Sequence, residues 1–221
     1  MKKWIDYYNE RARYISDPIE IAEMSMSRQQ YNMDIQRIIT YLSLPSDKTL
    51  IDLGCCTGNS IKMVKPFVKS VIGVDMAVNA LSCAKLRHPD CQFIKDNVTK
   101  LKSFNNRSYS LFLCFGLLHY LNDKEINIFF STLSRVIKPN GIICFIRVPN
   151  SIHYESYQAY RINNKKDNNE LKWNWISEDI ISNLAKKYGL LYKRKKQFDQ
   201  LEMPMKAFFD FVLKYNSYDN E

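Results

Sequence analysis

A doubly wound, mostly parallel α/β sheet is the fold that this sequence predicts. Short strand-like runs alternate with helical patterns through the middle of the chain. The run Tyr109 to Phe115 is apolar enough for a strand buried on both faces. One strand, Thr49 to Leu53, passes directly into a turn bounded by Gly54 and Gly58. Strand, helix and strand repeated in this way require a parallel sheet with helices on both faces.

The elements follow in order. Asn59 to Lys65 has helical spacing at Ile61 and Val64, with Pro66 expected to end the helix. Val71 to Val74 reads as a strand closed by Asp75. Ala77 to Leu86 reads as a helix with Ala80, Leu81 and Ala84 on one face. Cys91 to Ile94 is a short strand. Asp123 to Ile137 is a helix with Ile126, Phe129, Phe130, Leu133 and Ile137 at helical intervals. Pro139, Asn140 and Gly141 predict a turn, and Ile142 to Val148 the strand after it. Ser177 is placed to cap a last helix, with Glu178 and Asp179 in its first turn and Gly189 at its end. Leu190 to Lys193 and Lys206 to Lys214 are candidate closing strands.

Length and composition suit one such domain with additions. The chain has 221 residues, 46% hydrophobic and 25% charged, with a formal charge of +9. The charge favours an anionic partner or substrate but does not by itself indicate nucleic acid. No apolar run approaches the length of a membrane-spanning helix. Met1 to Tyr8 shows no apolar run behind its lysines, so no signal peptide is expected. Six cysteines without a CxxC pair suggest neither zinc nor a redox motif; Cys114 and Cys144 read as buried apolar residues. A reduced, cytoplasmic setting is the expectation. Asn163 to Glu170 reads as an exposed loop.

The segment Leu50-Ile-Asp-Leu-Gly-Cys-Cys-Thr-Gly58 is the informative one. Its glycines allow a tight turn and close approach of backbone to ligand. Amides at the following helix start can meet polar ligand atoms. Asp75 lies 21 residues after Gly54, about the offset of 20 at which an acid binds a ribose hydroxyl.

In these motifs the chain resembles the class I S-adenosylmethionine-dependent methyltransferases. Asp52-Leu-Gly54-Cys-Cys56-Thr-Gly58 resembles the family's first motif, with Cys56 in place of its central glycine. Val71-Ile-Gly-Val-Asp75 resembles the second-strand motif, whose acid holds the ribose. Phe93-Ile-Lys-Asp96-Asn97 resembles the third-strand end, whose acid meets the adenine amino group. Leu133 to Gly141 resembles the turn into the fifth strand, and Tyr109 to Tyr120 the fourth strand with its loop.

The resemblance covers roughly residues 45 to 195 and implies a seven-stranded, Rossmann-like sheet with an N-terminal helical lid over residues 1–45. The methyltransferase domain would span 46–221, with an acceptor-binding insert at about 150–175. It further implies S-adenosyl-L-methionine as cofactor, held by Asp52, Gly54, Cys55, Cys56, Gly58, Asp75, Met76, Asp96, Asn97 and Phe115. Tyr8 and Arg13 would join these from the lid, with Arg11 an alternative to Arg13 for the cofactor carboxylate. Cys56 admits three readings: a shifted loop that still binds cofactor, a lost site, or a reactive thiol whose pKa falls at a helix start.

A small-molecule methyl acceptor, receiving the methyl group on O or N, is the expected partner. His119, after the fourth strand, is the candidate base, with a packing histidine as the competing reading. His153 is the second choice, and His88, beside Pro89, is expected at the surface. Tyr154, Tyr157 and Trp175 would line the acceptor pocket with His119. The sequence lacks the Asn/Asp-Pro-Pro-Tyr/Phe motif and the Pro-Cys pair of nucleic-acid methyltransferases. Two alternatives remain: an RNA or tRNA methyltransferase using basic runs such as Lys193 to Lys196, and a non-catalytic relative that binds a ligand or partner on the same fold. That basic run also reads as an edge strand protected by lysines.

Overall fold

The computed structural model describes residues 2–17, 28–163, 173–197 and 205–215. Two helices lead: α1 (Lys2–Tyr14) and α2 (Arg28–Leu42). The sheet then builds as β1 (Thr49–Leu53), α3 (Ile61–Val64), β2 (Ser70–Asp75), α4 (Val78–Arg87), β3 (Gln92–Lys95), β4 (Tyr109–Phe115), α5 (Asp123–Val136) and β5 (Ile137–Pro149). It ends with α6 (Tyr154–Asn163), α7 (Glu178–Lys187), β6 (Leu190–Gln197) and β7 (Phe208–Tyr215). The strand order is β3-β2-β1-β4-β5-β7-β6. All pairings are parallel except those of β7, which is antiparallel to both β5 and β6. The order reverses between β1 and β4, so the carboxyl ends of these strands flank the crevice where open α/β sheets bind ligands.

Alternation along the strands divides the core into two layers. Ile51, Phe112, Ile143 and Phe145 point to the face covered by α5 and α7 through Phe129, Phe130, Leu133, Ile181 and Ala185. Leu50, Leu111, Leu113, Cys144 and Ile146 point to the opposite face, under Ile35, Ile38 and Leu42 of α2 and Leu81 and Ala84 of α4. The segment 1–45 is therefore heterogeneous: α2 is a core helix, and α1 lies outside it against α4. Asn79 joins those two helices, donating its main-chain amide to Asn9 Oδ1 at 3.0 Å and its side-chain Nδ2 to Asn9 O at 2.9 Å.

The starts of α5 and α7 are capped by side chains. Asn122 accepts from the Glu125 amide at 2.9 Å while Glu125 accepts from the Asn122 amide at 3.0 Å, closing a capping box on α5. Ser177 accepts from the Ile180 amide at 3.3 Å, and Gly189 leaves α7 at φ +67°. Two local expectations change. Pro66 does not stop the chain turning but converts it into a 3-10 turn, Lys65–Phe67, because a proline early in such a turn forfeits no needed donor. The Pro139–Gly141 turn is absorbed into β5, which begins at Ile137 and bends where Asn140 takes φ +60°. The basic run Lys193 to Lys196 lies on β6, an edge of the sheet.

Four charges are buried between α2, β5 and β7. Arg37 donates to Asp210 at 2.7 Å and also to Asp34. Arg147 donates through Nε to Asp34, and its own amide donates to Asp210 at 3.1 Å. Arg147 has φ +58°, inside an irregularity of the β5–β7 pairing between Phe145 and Val148. That bulge turns its side chain toward α2, the face Ile146 already occupies. Removing one partner of a buried ion pair leaves an uncompensated charge, costing about 3–5 kcal/mol. Asp34→Ala should lower the unfolding free energy by about that amount, read from equilibrium urea denaturation.

Candidate active site

The turn after β1 is left-handed at three positions, Gly54 (φ +77°), Cys56 (+47°) and Gly58 (+72°). The Gly54 and Cys55 amides both donate to Val74 O of β2, at 2.8 and 3.1 Å. A Cβ on Gly54 would come within 2.9 Å of Leu117 Cδ1, and one on Gly58 within 3.0 Å of His88 Cδ2. Cys56 thus takes a left-handed backbone conformation that favours glycine. The turn keeps its shape despite the side chain, at the usual cost of roughly 1–2 kcal/mol for a left-handed L-residue.

Asp75, at the tip of β2, ties that turn down. Its Oδ2 accepts from the Cys56 amide and its Oδ1 from the Ala77 amide, both at 2.9 Å. The far side of the turn is clamped by α4: Arg87 donates to Thr57 O at 2.7 Å and to Asn59 Oδ1 at 2.6 Å. His88 is buried with Nε2 2.9 Å from Gly58 O, so it is not the surface residue expected from its neighbour Pro89. The α4 helix carries it inward under the turn. Behind the turn, Ser60 Oγ donates to the buried Asp52 at 2.6 Å, and burial pushes the Asp52 carboxyl up to about 7. Burial and the nearby Asp75 push the Cys56 thiol up, opposite to the fall expected of a reactive cysteine at a helix start.

The other expected cofactor contacts divide. Cys55 is buried with Sγ against Gly73 and Phe93, facing away from the crevice. Met76 is partly buried beside Asp75. Asp96 accepts from the Asn97 and Ser103 amides, each at 2.7 Å, and Asn97 Oδ1 accepts from the Thr99 amide at 2.9 Å. Asp96 and Asn97 therefore fold the loop after β3 as well as standing at its rim. Phe115, at the end of β4, stacks on Tyr31 with ring centres 6.1 Å apart. Arg13 is exposed at the end of α1, and Arg11 lies over the Tyr7 ring at 5.4 Å.

An aromatic array joins α1 to the loop after β4. Tyr8 and Tyr120 share a 2.6 Å hydroxyl contact, and Trp4 meets Tyr120 edge-on at 4.6 Å. His119, in the 3-10 turn Leu118–Tyr120, lies 3.9 Å from the Tyr120 ring and 4.6 Å from Trp173. Its main-chain oxygen accepts from the Asn174 amide at 2.9 Å, stitching the segment before α7 to this turn. His119 is 6% exposed, and neither ring nitrogen has a hydrogen-bond partner among the described residues.

Trp173 links His119 to Tyr157 (5.9 Å) and Phe208 (6.1 Å), and Tyr157 also meets Trp175 at 5.1 Å. His119, Tyr157 and Trp175 therefore share one cluster, while Tyr154 reaches Trp175 at 5.6 Å but is 43% exposed. His153 lies in the 3-10 turn Ser151–His153, after β5. Tyr31, Phe208 and Arg147 were not among the expected site residues. A lone arginine and a lone aspartate within the apolar runs Ile142 to Val148 and Phe208 to Leu213 were the available signals. Among the described residues no group of side chains could hold a metal ion, and no helix is long and apolar enough to cross a membrane.

Sheet order, glycine turn and strand-tip acid make up an open, doubly wound α/β domain with a crevice at the carboxyl ends of β1 and β4. Residues 51–145 match the family described as "Methyltransferase domain". The chain is similar to the Saccharomyces cerevisiae protein "Probable S-adenosylmethionine-dependent methyltransferase CRG1", 24% identical over 61% of this chain and 47% of the relative. It is also similar to trans-aconitate 2-methyltransferase of Yersinia pestis, 25% identical over 56% of this chain and 47% of the relative. The chain thus matches about half the length of these curated relatives. In fold it resembles an S-adenosylmethionine-dependent methyltransferase from Clostridium acetobutylicum, with a TM-score of 0.65 at 15% identity, over 95% of this chain and 99% of that one.

Burial depresses the His119 pKa from 6.5 to about 3. A pKa lowered by folding contributes stability that is complete above the unfolded value and is lost as pH falls through the folded one. Asp52, raised to about 7, acts in the opposite sense, its contribution fading as pH climbs toward 7. Comparison with His119→Gln isolates the histidine. The wild-type melting temperature should fall faster than the variant's between about pH 6.5 and 4, and in parallel with it above that range.

Proposed function

We propose that this chain transfers the methyl group of S-adenosylmethionine to an oxygen or nitrogen of a small-molecule acceptor. The reading rests chiefly on the Asp75 carboxylate bound to the Cys56 amide of a left-handed glycine turn, at the tips of adjacent parallel strands. The residues present fit the cofactor. Each Asp75 oxygen accepts one bond and keeps a further lone pair, enough for two ribose hydroxyls. The turn presents bare backbone at Gly54 and Gly58. Asp96 and Asn97, at the end of the next strand, are assigned to the adenine end, and Met76 and Phe115 to the walls of the pocket. Tyr8 is assigned to the lid over it, and Arg13 or Arg11 to the cofactor carboxylate.

The cofactor supplies an already activated methyl group on a positively charged sulfur. What remains for the protein is alignment of the acceptor and exclusion of water. The α1 aromatics close one side of the pocket, and the cluster of His119, Tyr157, Trp173 and Trp175 closes the other. His119 is neutral at physiological pH with both nitrogens unpartnered, so it can accept a proton through one and donate from the other. Its low basicity makes it better suited to orienting the acceptor and receiving a proton late than to ionising a free hydroxyl. A relative named for transfer to trans-aconitate supports a small molecule as acceptor.

Calorimetry with S-adenosylhomocysteine tests the reading. Wild-type protein should bind it, and Asp75→Ala should weaken binding by about 1–3 kcal/mol through hydroxyls left unpaired. Absence of heat in wild-type protein at millimolar ligand would leave a non-catalytic relative on the same fold, and undiminished affinity in the variant would move the ribose away from β2.

A further inference from the structure

Arg147 is the buried charge for which the methyl-transfer site as drawn has no use. It is 8% exposed, and its Nη2 is buried without a hydrogen-bond partner among the described residues. Its Nε donates to Asp34 on α2, and its amide donates to Asp210 on β7. The guanidinium lies over the Phe208 ring at 5.9 Å, within the range of a cation–π contact. Phe208 belongs to the cluster of Tyr157 and Trp173, and Trp173 touches His119. The unpartnered donor therefore borders the cluster assigned to the acceptor.

Two costs are incurred to hold it there. A non-glycine residue sits at φ +58°, and a strongly polar donor is left unsatisfied in a low-dielectric interior. The β5 bulge is what directs this arginine away from the opposite layer. A strained backbone position presenting an unsatisfied guanidinium nitrogen beside an aromatic wall is the arrangement of a ligand clamp.

We propose that Arg147 Nη2 binds a carboxylate of the methyl acceptor, whose flat apolar body packs on Phe208, Tyr157 and Trp173. The inference rests on the methyltransferase reading and deepens it by naming the acceptor class. Nη2 carries N–H donors on a planar, permanently charged guanidinium, so it can give a carboxylate oxygen a charge-assisted bond in a fixed direction. Asp34 and Asp210 offset the two arginines of the quartet, so the incoming anion meets a held, directional donor and not an excess of positive charge. Lysine at this position would keep a cation for Asp34 but supply no second arm.

The test uses the full chain loaded with S-adenosylhomocysteine and three probe acids, benzoate, cinnamate and phenylpropanoate, each paired with its primary amide. Binding is read by calorimetry and tryptophan fluorescence. At least one acid should bind wild-type protein about ten-fold or more tightly than its amide, the least expected of a hydrogen bond between charged groups. Arg147→Lys should erase that preference and leave S-adenosylhomocysteine affinity unchanged. Equal binding of acid and amide, no binding by any acid, or a preference that survives Arg147→Lys would each overturn the proposal. The wild-type comparison decides even where the variant folds poorly. Failure of S-adenosylhomocysteine itself to bind would instead remove the methyltransferase reading, and the acid–amide contrast would then be measured on the unloaded protein.

Discussion

The bond from the Cys56 amide to the Asp75 carboxylate is the constraint on which the site depends. It joins the turn after β1 to the tip of β2, and so fixes the two edges of one crevice relative to each other. Without it, the middle of a turn with three left-handed residues in five would lose its tie to the tip of β2. With it, and with Arg87 and His88 gripping the opposite side, the turn is held from both flanks. The carboxylate that would read a ribose is therefore the same group that shapes the loop beside it.

A second constraint operates one strand away. The buried quartet of Asp34, Arg37, Arg147 and Asp210 locks α2 to β5 and β7. The same helix places Tyr31 against Phe115 at the end of β4. A helix contributing apolar side chains to the core thus also carries an aromatic and a carboxylate to the working edge of the sheet. The described parts of the 1–45 segment consequently divide: α2 belongs to the scaffold, and α1 packs against α4 and Tyr120.

The sheet was legible in the sequence because each of its strands announces itself by local pattern. Tyr109–Phe115 has the expected bounds, and α7 has the cap and terminal glycine read from Ser177 and Gly189. The glycine turn and Asp75 were legible because a close backbone approach demands particular residue types at fixed spacing. Burial of His88 was not, because it depends on which way α4 packs under the turn. Nor was the fate of the Cys56 thiol, since a helix start and a buried carboxylate pull its pKa in opposite directions and only the packing decides. Arg147, Asp34 and Asp210 lie far apart in sequence, and their convergence depends on β7 entering between β5 and β6. His119 was visible as a residue, but the absence of partners on both of its nitrogens could emerge only from three dimensions.

The quartet's formal charges cancel, so the chain's +9 arises wholly outside it. With Arg147 seating a carboxylate as proposed, attraction of a distant anion and its final alignment would be handled by different parts of the molecule. Capture from bulk solution belongs to the periphery, where mobile counter-ions weaken it over about 8–10 Å. Alignment belongs to an interior that those counter-ions do not reach. Raising ionic strength should slow arrival while leaving the bound pose unaltered, a kinetic signature distinct from that of a site built on surface lysines.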